Sequence, residues 1–575
     1  MISQNIEPLF HEHLAPNNHA DSDYFGLIKK LVALKNSAAP DSADFQQACD
    51  AIAKAYTLVE DEIRTNTKPP SKPISFGTSG WRGIIGKDIS LHTVGLVTQA
   101  IVALYRNLDQ DNSLAASLGV SSFKEAQQRG AVLGYDNRFG GQLMAERVIE
   151  VLTSNGITVH YAHEATTGTL SAAVLILQAA FSINLTPSHN PLEYAGFKFN
   201  AADAGPAASE ITNRITENAR QLVTEGKTPA LSPDQALVQQ CDALVCWQEL
   251  VTRGASLHGL NYSEIIAALH AASDCVVAVD CVHGASRVHM RSLFGNQPSE
   301  HLLLFRDQAD PTFGGVAPEP SSTNMHKVMT TLQQRPEPLK LGVIIDPDAD
   351  RIRFTDGTVE IDMNLFGGMA FHYLHEKKGK RGMVAKTVAT SNFANAIAKG
   401  LQEEIFEPRV GFKEFKPVIG RALVCFEESD GISVIGHTPE KDAYIGLMLA
   451  LDMMLTMKKN LGDYLGEIQT AYGHYYPAKG GVEVSQQGQA LLDTLSGLEK
   501  YTAGTVIDIG GQPRKITEVI SIDGTKMILD DNSWLMIRPS GTEPKVRFYV
   551  EARSESGKDA LFAAAKAMLS EIGLI

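Results

Sequence analysis

The sequence predicts an α/β protein of about four domains. The first observation behind this is length: 575 residues, at roughly 150 per domain, make about four units. The second is a repeated design. Val132-Leu-Gly-Tyr-Asp136, Val276-Val-Ala-Val-Asp280 and Leu341-Gly-Val-Ile-Ile-Asp346 are apolar runs that each end in an aspartate before a polar, turn-forming stretch. Continuous apolar runs read as strands buried on both faces, which predicts parallel sheets covered by helices, with ligand groups beyond the strands' carboxyl ends where these aspartates fall. The third is a change of pattern from residue 476 onward. There Val546-Arg-Phe-Tyr-Val-Glu551 alternates and the stretch from Asp559 to Ile572 is helical, the signature of a small α+β domain.

Taken in order, residues 1–73 are an amino-terminal extension, with Tyr24, Leu27, Ile28, Leu31 and Leu34 at helical spacing. A proline-rich linker from Thr65 to Pro73 ends it. Nothing in the extension suggests chemistry; it is expected to pack on the next domain or to mediate assembly. Residues 74–238 form the first α/β unit, with a polar excursion at 107–129 and a linker-like close at Glu225-Gly-Lys-Thr-Pro-Ala-Leu-Ser-Pro233. Units at 239–370 and 371–475 follow. Ala443 to Met457 is the most apolar stretch, but Asp452 interrupts it and it is too short to span a membrane, so it reads as a buried helix.

Composition narrows the function. With 44% hydrophobic and 20% charged residues the chain is an ordinary globular one, and disorder as its main state is excluded. A net charge of −15 without a Lys/Arg tract disfavours duplex nucleic acid and anionic membrane as partners. The first 25 residues hold no apolar core segment, so no secretory signal is expected. Six cysteines without CxxC pairing read as reduced thiols in a cytoplasmic protein.

Three segments carry chemistry. In Asp346-Pro-Asp348-Ala-Asp350-Arg351, alternate aspartates past a strand can converge hard oxygen donors on a divalent cation. An EF-hand is excluded, because Arg351 and Gly357 stand where that loop needs glycine and glutamate; a solvated acidic turn is the other reading. In Leu185-Thr-Pro-Ser188-His189-Asn190-Pro191, two prolines stiffen a loop that suits a nucleophile or phosphoryl carrier, although this segment alone reads first as a structural turn, since Ser, Asn and Pro all form turns. A Ser-His-Asp arrangement is disfavoured, since His189 is not expected to face its own neighbour and no G-x-S-x-G elbow is present. In Arg538-Pro-Ser540-Gly541-Thr542-Glu543-Pro544-Lys545-Val-Arg547, backbone amides, two hydroxyls and two guanidinium groups suit a phosphate, against the alternative of a charged hairpin turn. No Walker A loop is found, which disfavours an ATP-dependent kinase. Phe76-Gly-Thr-Ser-Gly-Trp-Arg82-Gly83 and Phe426-Glu427-Glu428-Ser429-Asp430-Gly431 are weak on their own, the second reading by default as a solvated turn whose carboxylates could bind sugar hydroxyls. His163 and His437 lack metal-ligand spacing.

Together and in this order, the five segments resemble the α-D-phosphohexomutase superfamily over residues 74 to 555. The resemblance implies three α/β domains with mixed sheets and a carboxyl-terminal α+β domain around a central cleft, each giving one loop. It implies that Ser188 is the phosphorylated residue and that Asp346, Asp348 and Asp350 bind Mg²⁺ together with the phosphoryl group on Ser188. Arg82, Lys198 and Arg351 match positions near the reacting phosphoryl group, with Lys198 the candidate for assisting proton transfer. Glu427 and Ser429 are expected to grip sugar hydroxyls, and His189, Lys413 and Lys441 to join them in the substrate site. Arg538, Ser540, Gly541, Thr542 and Arg547 are expected to hold the non-reacting phosphate. The implied partners are small sugar phosphates, with glucose 1,6-bisphosphate as activator and a monomer or homodimer as the assembly. Glu-Glu-Ser in the sugar loop and Lys441-Asp442 resemble phosphoglucomutases, while Phe426 departs from most relatives and is reminiscent of enzymes acting on pentose phosphates or making glucose 1,6-bisphosphate. Outside this class stand a silent sugar-phosphate-binding regulator and a Mg²⁺-dependent phosphatase.

Overall fold

The computed structural model describes residues 3–16, 18–77, 80–296, 300–540 and 545–575. The extension is three helices, Ser3–His13, Tyr24–Ser37 and Ala43–Thr65. Asp23 and Ser42 cap the second and third by accepting from the amides of Gly26 and Phe45. Leu27, Ile28, Leu31, Ala55, Val59 and Ile63 merge with Val94, Val97 and Ile101 of the first domain into one core. Polar tethers reinforce the seam: Lys87 Nζ donates to the carbonyl of Ser22 at 2.8 Å, and Lys29 pairs with Glu193 at 2.8 Å. The second helix reaches further, with Lys35 Nζ 3.9 Å from Asp310 and Asn36 Nδ2 donating to the Gly314 carbonyl at 2.9 Å. Phe313, from that same distant loop, is fully buried in the core of the extension and first domain.

Four sheets follow. The first, six-stranded, runs Trp81–Ile84, Tyr194–Ala201, Phe181–Leu185, Ala131–Tyr135, Val159–Glu164, Val238–Gln240. The second has five strands centred on Cys275–Asp280 and Leu339–Ile345, and the third has four, with Val384–Lys386 beside Val424–Glu427. The fourth is a six-stranded antiparallel sheet backed by the helix Gly557–Glu571. The 107–129 excursion holds two short helices, Ala115–Leu118 and Phe123–Arg129.

Parallel pairing occupies the centre of the first three sheets, as the apolar runs predict, and an antiparallel strand makes each of them mixed, as the resemblance implies. Phe181–Leu185 pairs antiparallel with Tyr194–Ala201, Leu339–Ile345 with Ile352–Thr355, Val424–Glu427 with Gly431–Val434, and Trp534–Pro539 with Lys545–Ala552. Burial on both faces erases the alternation that marks a solvent-facing antiparallel strand, so strand direction was unreadable. The consequence for function is direct. The motif loops at 186–193, 346–351 and 428–430 each connect one of these antiparallel pairs.

Two expected breaks move. Val238–Gln240 pairs with Val159–Tyr161, so the first sheet runs past residue 238. The helix Met363–Glu376 runs through residue 370, and its Gly367 and Gly368 let Phe426 and Phe393 approach the helix backbone. Ala443–Met457 is a buried helix. No helix among the described residues is long and apolar enough to cross a membrane.

Candidate active site

Ser188 sits in left-handed backbone, φ +57°, and is 1% exposed. A non-glycine residue held there is strained, and such strain collects where geometry matters. Its hydroxyl donates to Asp346 Oδ2 at 2.8 Å across the gap between the first and second domains. Its Oγ is also 3.3 Å from His189 Nδ1, which corrects the expectation that this histidine could not face its neighbour; the left-handed turn at Ser188 brings the two side chains to one side. Burial, then Arg351 and Arg82, push His189 well below the usual imidazole range, so it is neutral.

The three aspartates are buried, each offering an oxygen within 4.8 Å of the others. Ala349, with φ +53°, turns the chain so that the alternate carboxylates converge. Asp346 Oδ1 is fixed by the amides of Asp350 and Arg351, both at 3.0 Å. Asp348 Oδ2 accepts from Thr167 Oγ1 at 2.8 Å and from Lys198 Nζ at 2.6 Å. Asp350 Oδ2 accepts from Lys198 at 3.1 Å and pairs with Lys441 Nζ at 3.0 Å. Asp348 Oδ1 and Asp350 Oδ1 are buried without a hydrogen-bond partner. Buried carboxylate oxygens that accept no hydrogen bond are costly alone, and a small divalent cation fits this set of donors. Burial and the two neighbouring carboxylates raise Asp346 well above the usual range. Burial works against the ammonium of Lys198, but Asp348 and Asp350 outweigh it and hold that lysine protonated.

Arg82 Nη1 donates to Asn190 Oδ1 at 2.7 Å, which ties the glycine-rich entry segment to the serine loop. Arg351 Nε lies 3.6 Å from Asp350. Lys441 was expected at the sugar and is found on the aspartate loop. Glu427 and Glu428 do not form a solvated turn: both are buried. Glu427 Oε1 accepts from the amide of Gly411 at 2.9 Å, and burial, opposed by Lys441, lifts its carboxyl to about 7. Glu428 Oε2 accepts from the hydroxyls of Thr387 and Thr390, leaving Ser429 half-buried beside them. Lys413 is directed elsewhere, donating to Ser209 Oγ at 2.8 Å on the rim.

In the fourth domain Arg538 and Arg547 are direct cross-strand partners, so their side chains leave one face of the sheet together. Arg538 pairs with Asp523 at 3.3 Å, and the Ser540 amide donates to the Lys545 carbonyl at 2.8 Å. Gly541 and Thr542 lie outside the described residues. Both arginines and Glu428 act electrostatically on Tyr549. Sequence reasoning missed Thr167, whose only signal was its position in a helix-capping Thr-Thr-Gly-Thr run. Of the other aspartates that fall at strand ends, Asp136 accepts from Thr186 Oγ1 and Asp280 is gripped by Arg306 at 2.7 Å.

With this geometry established, comparison with known proteins locates the chain. Models described as phosphoglucomutase/phosphomannomutase match in succession: alpha/beta/alpha domain I at residues 73–225, domain II at 261–359, domain III at 362–472 and the C-terminal domain at 498–567. A phosphoglucomutase of Staphylococcus saprophyticus is 24% identical over 549 residues, covering 87% of this chain and 95% of that one. A phosphoglucosamine/phosphogalactosamine mutase of Sulfurisphaera tokodaii is 23% identical over 494 residues, covering 84% and 96%. In fold, the chain is similar to the open form of the Paramecium phosphoglucomutase parafusin, with a TM-score of 0.66 at 19% identity, covering 88% and 95%.

Proposed function

Because the chain belongs to the phosphoglucomutase/phosphomannomutase group of the α-D-phosphohexomutase superfamily, we propose that it interconverts glucose 1-phosphate and glucose 6-phosphate through phosphorylated Ser188. The enzyme is an intramolecular phosphotransferase, as its relatives are. The observation that carries the chemistry is the Ser188 hydroxyl aimed at Asp346 beside two carboxylates bridged by Lys198.

A sugar hydroxyl attacks the phosphorus of phosphoserine, the bond to Ser188 Oγ breaks, and the released oxygen takes a proton as the attacking hydroxyl gives one up, so that Ser188 ends as the free hydroxyl. The product of that step is glucose 1,6-bisphosphate, which also serves as the activator. It turns end for end, and its other phosphate returns to Ser188. Mg²⁺, held by Asp346, Asp348, Asp350 and the phosphoryl group on Ser188, would offset charge on the transferring oxygens. Lys198, kept as an ammonium, places charge and a transferable proton at the same point, and Arg82 and Arg351 add two fixed cations. Neutral His189 adds a ring nitrogen without adding charge. Arg538 and Arg547 suit the non-reacting phosphate, and Glu427 and Ser429 the sugar hydroxyls.

Glucose is favoured by the Glu427-Glu428-Ser429 sequence with Lys441-Asp442. Phe426, the residue that pointed toward pentose phosphates, is fully buried, and a Cβ on Gly367 would lie 2.1 Å from its ring. It does not reach a sugar, so it gives pentose no support.

The test is steady-state conversion of glucose 1-phosphate with Mg²⁺ and trace glucose 1,6-bisphosphate, beside the 1-phosphates of mannose, glucosamine and ribose. Preference for glucose is expected; comparable mannose turnover or faster ribose turnover overturns the sugar assignment. Ser188→Ala should abolish turnover in a folded chain, and an active Ala variant would remove the phosphoserine step.

A further inference from the structure

Resting on the mutase reading of the serine loop, the inference concerns what holds that loop. The carbonyl oxygens of Ser188, Asn190, Pro191 and Tyr194 all turn toward one group, the guanidinium of Arg138. Its Nη2 donates to Ser188 at 2.8 Å and to Asn190, and its Nη1 donates to Pro191 at 2.5 Å and Tyr194 at 3.2 Å. Four converging carbonyl dipoles repel one another; a forked cation at their centre turns that repulsion into a tether. Arg138 is buried and itself fixed from two sides. Asp136 accepts the Arg138 amide at 3.0 Å and lies 3.6 Å from Nε. The same carboxylate accepts from Thr186 Oγ1 at 2.7 Å, which in turn accepts from the Ser188 amide at 2.9 Å. The peptide groups on both sides of Ser188 are thus tied to one ion pair. On the other side, the guanidinium lies 4.8 Å over the ring of Phe313, which arrives from the second domain. Burial brings Arg138 down to about 10, so it is charged at neutral pH.

We infer that Arg138 is a positioning residue for the reaction. It fixes the left-handed turn that aims Ser188 Oγ at Asp346, and through Phe313 it links that aim to the placement of the domain carrying Asp346. Lysine is not an adequate substitute, because a point charge cannot hold four carbonyls in one plane.

Full-length Arg138→Lys, Arg138→Met and Phe313→Leu variants test this by two readouts, kinetics on glucose 1-phosphate and hydrogen exchange of the 186–194 amides. Misplacing a reacting group by about 1 Å costs on the order of 100-fold, so both Arg138 variants should lose about that much kcat with KM nearly unchanged. Loop exchange should rise by about tenfold or more, and Phe313→Leu should lose roughly 3–10-fold in kcat, because it weakens only the stack. Near-wild-type kcat in Arg138→Lys, a loss carried by KM, or unchanged loop exchange overturns the inference. Should Arg138→Met fail to fold, Arg138→Lys decides alone. Exchange is read without turnover, so a wild-type chain inactive on every sugar phosphate would sink the mutase reading while the loop measurement still decides the role of Arg138.

Discussion

The seam between the second and third domains and the seam between the third and fourth are built from different materials. At the former, Phe354 stacks on Phe366 with ring centroids 3.8 Å apart, and both belong to one apolar core running through the two domains. At the latter, Val388 and Ala389 meet Trp534, Met536 and Tyr549 in a small separate cluster, and the rest is buried charge. Lys386 Nζ donates to Glu407 at 2.5 Å. Lys526 Nζ donates to the Val388 carbonyl at 2.8 Å, with the Trp534 ring 4.1 Å away. Glu551 accepts from Trp534 Nε1 at 2.7 Å, from the Asn392 amide and from the Ser391 hydroxyl. Apolar packing is indifferent to pH and salt, while a polar joint holds only while each donor keeps its acceptor. The difference teaches that the second and third domains form one mechanical unit, and that the fourth is attached by a joint sensitive to conditions.

Phe366→Ala should break the apolar seam hardest, costing about 4 kcal/mol of unfolding free energy. The two domains should then melt together in calorimetry; separate transitions would refute the single unit. Glu551→Leu removes one acceptor from three buried donors and should cost about 2–3 kcal/mol. Its effect should be local: hydrogen exchange rises over 534–552 and stays unchanged over 352–366. The joint should also titrate. Burial, then the charge of Lys386, lower Lys526 to about 7 in the folded protein, against about 10.4 unfolded. Between those values the unfolded chain binds more protons, so this lysine's contribution to stability rises from pH 7 to about 10.4. Chemical denaturation across that range should show the rise in wild type and a flatter profile in Lys526→Met; equal slopes would deny the shift. Asn36→Ala, at the tether of the extension to the Gly314 carbonyl, should cost only about 1 kcal/mol, measured by the same denaturation, and leave exchange at 534–552 untouched.

The site was more legible than the joints. Alternate aspartates after an apolar run have few uses, so the triad could be read from spacing. Two arginines around a glycine likewise announced a cradle, and their cross-strand pairing agrees with that spacing. His189 was misjudged because sequence spacing assumes ordinary backbone, and Ser188 is left-handed. Lys413 and Lys441 were assigned to the sugar by resemblance alone, and which partner a long side chain chooses is decided by tertiary charge, here Ser209 for the one and Asp350 for the other. A helix runs through the break expected at residue 370, and its Gly367-Gly368 pair serves the packing of Phe426 and Phe393. Asp136 and Asp280 carried the outward signature of the catalytic strand end, and their arginines, Arg138 two residues further on and Arg306 from the end of a neighbouring strand, distinguish them from Asp346.

The bond from Asn36 to Gly314 spans 278 residues of chain. At roughly 5–20 residues per second, a ribosome needs on the order of 15–60 s to make that interval. Throughout that time the extension exists as nascent helices whose apolar face, with Leu27, Ile28 and Leu31, has part of its first-domain partner but not yet Phe313. A segment made before the first domain is therefore completed only when part of the second has been made, and for that interval it is a surface for a chaperone to cover.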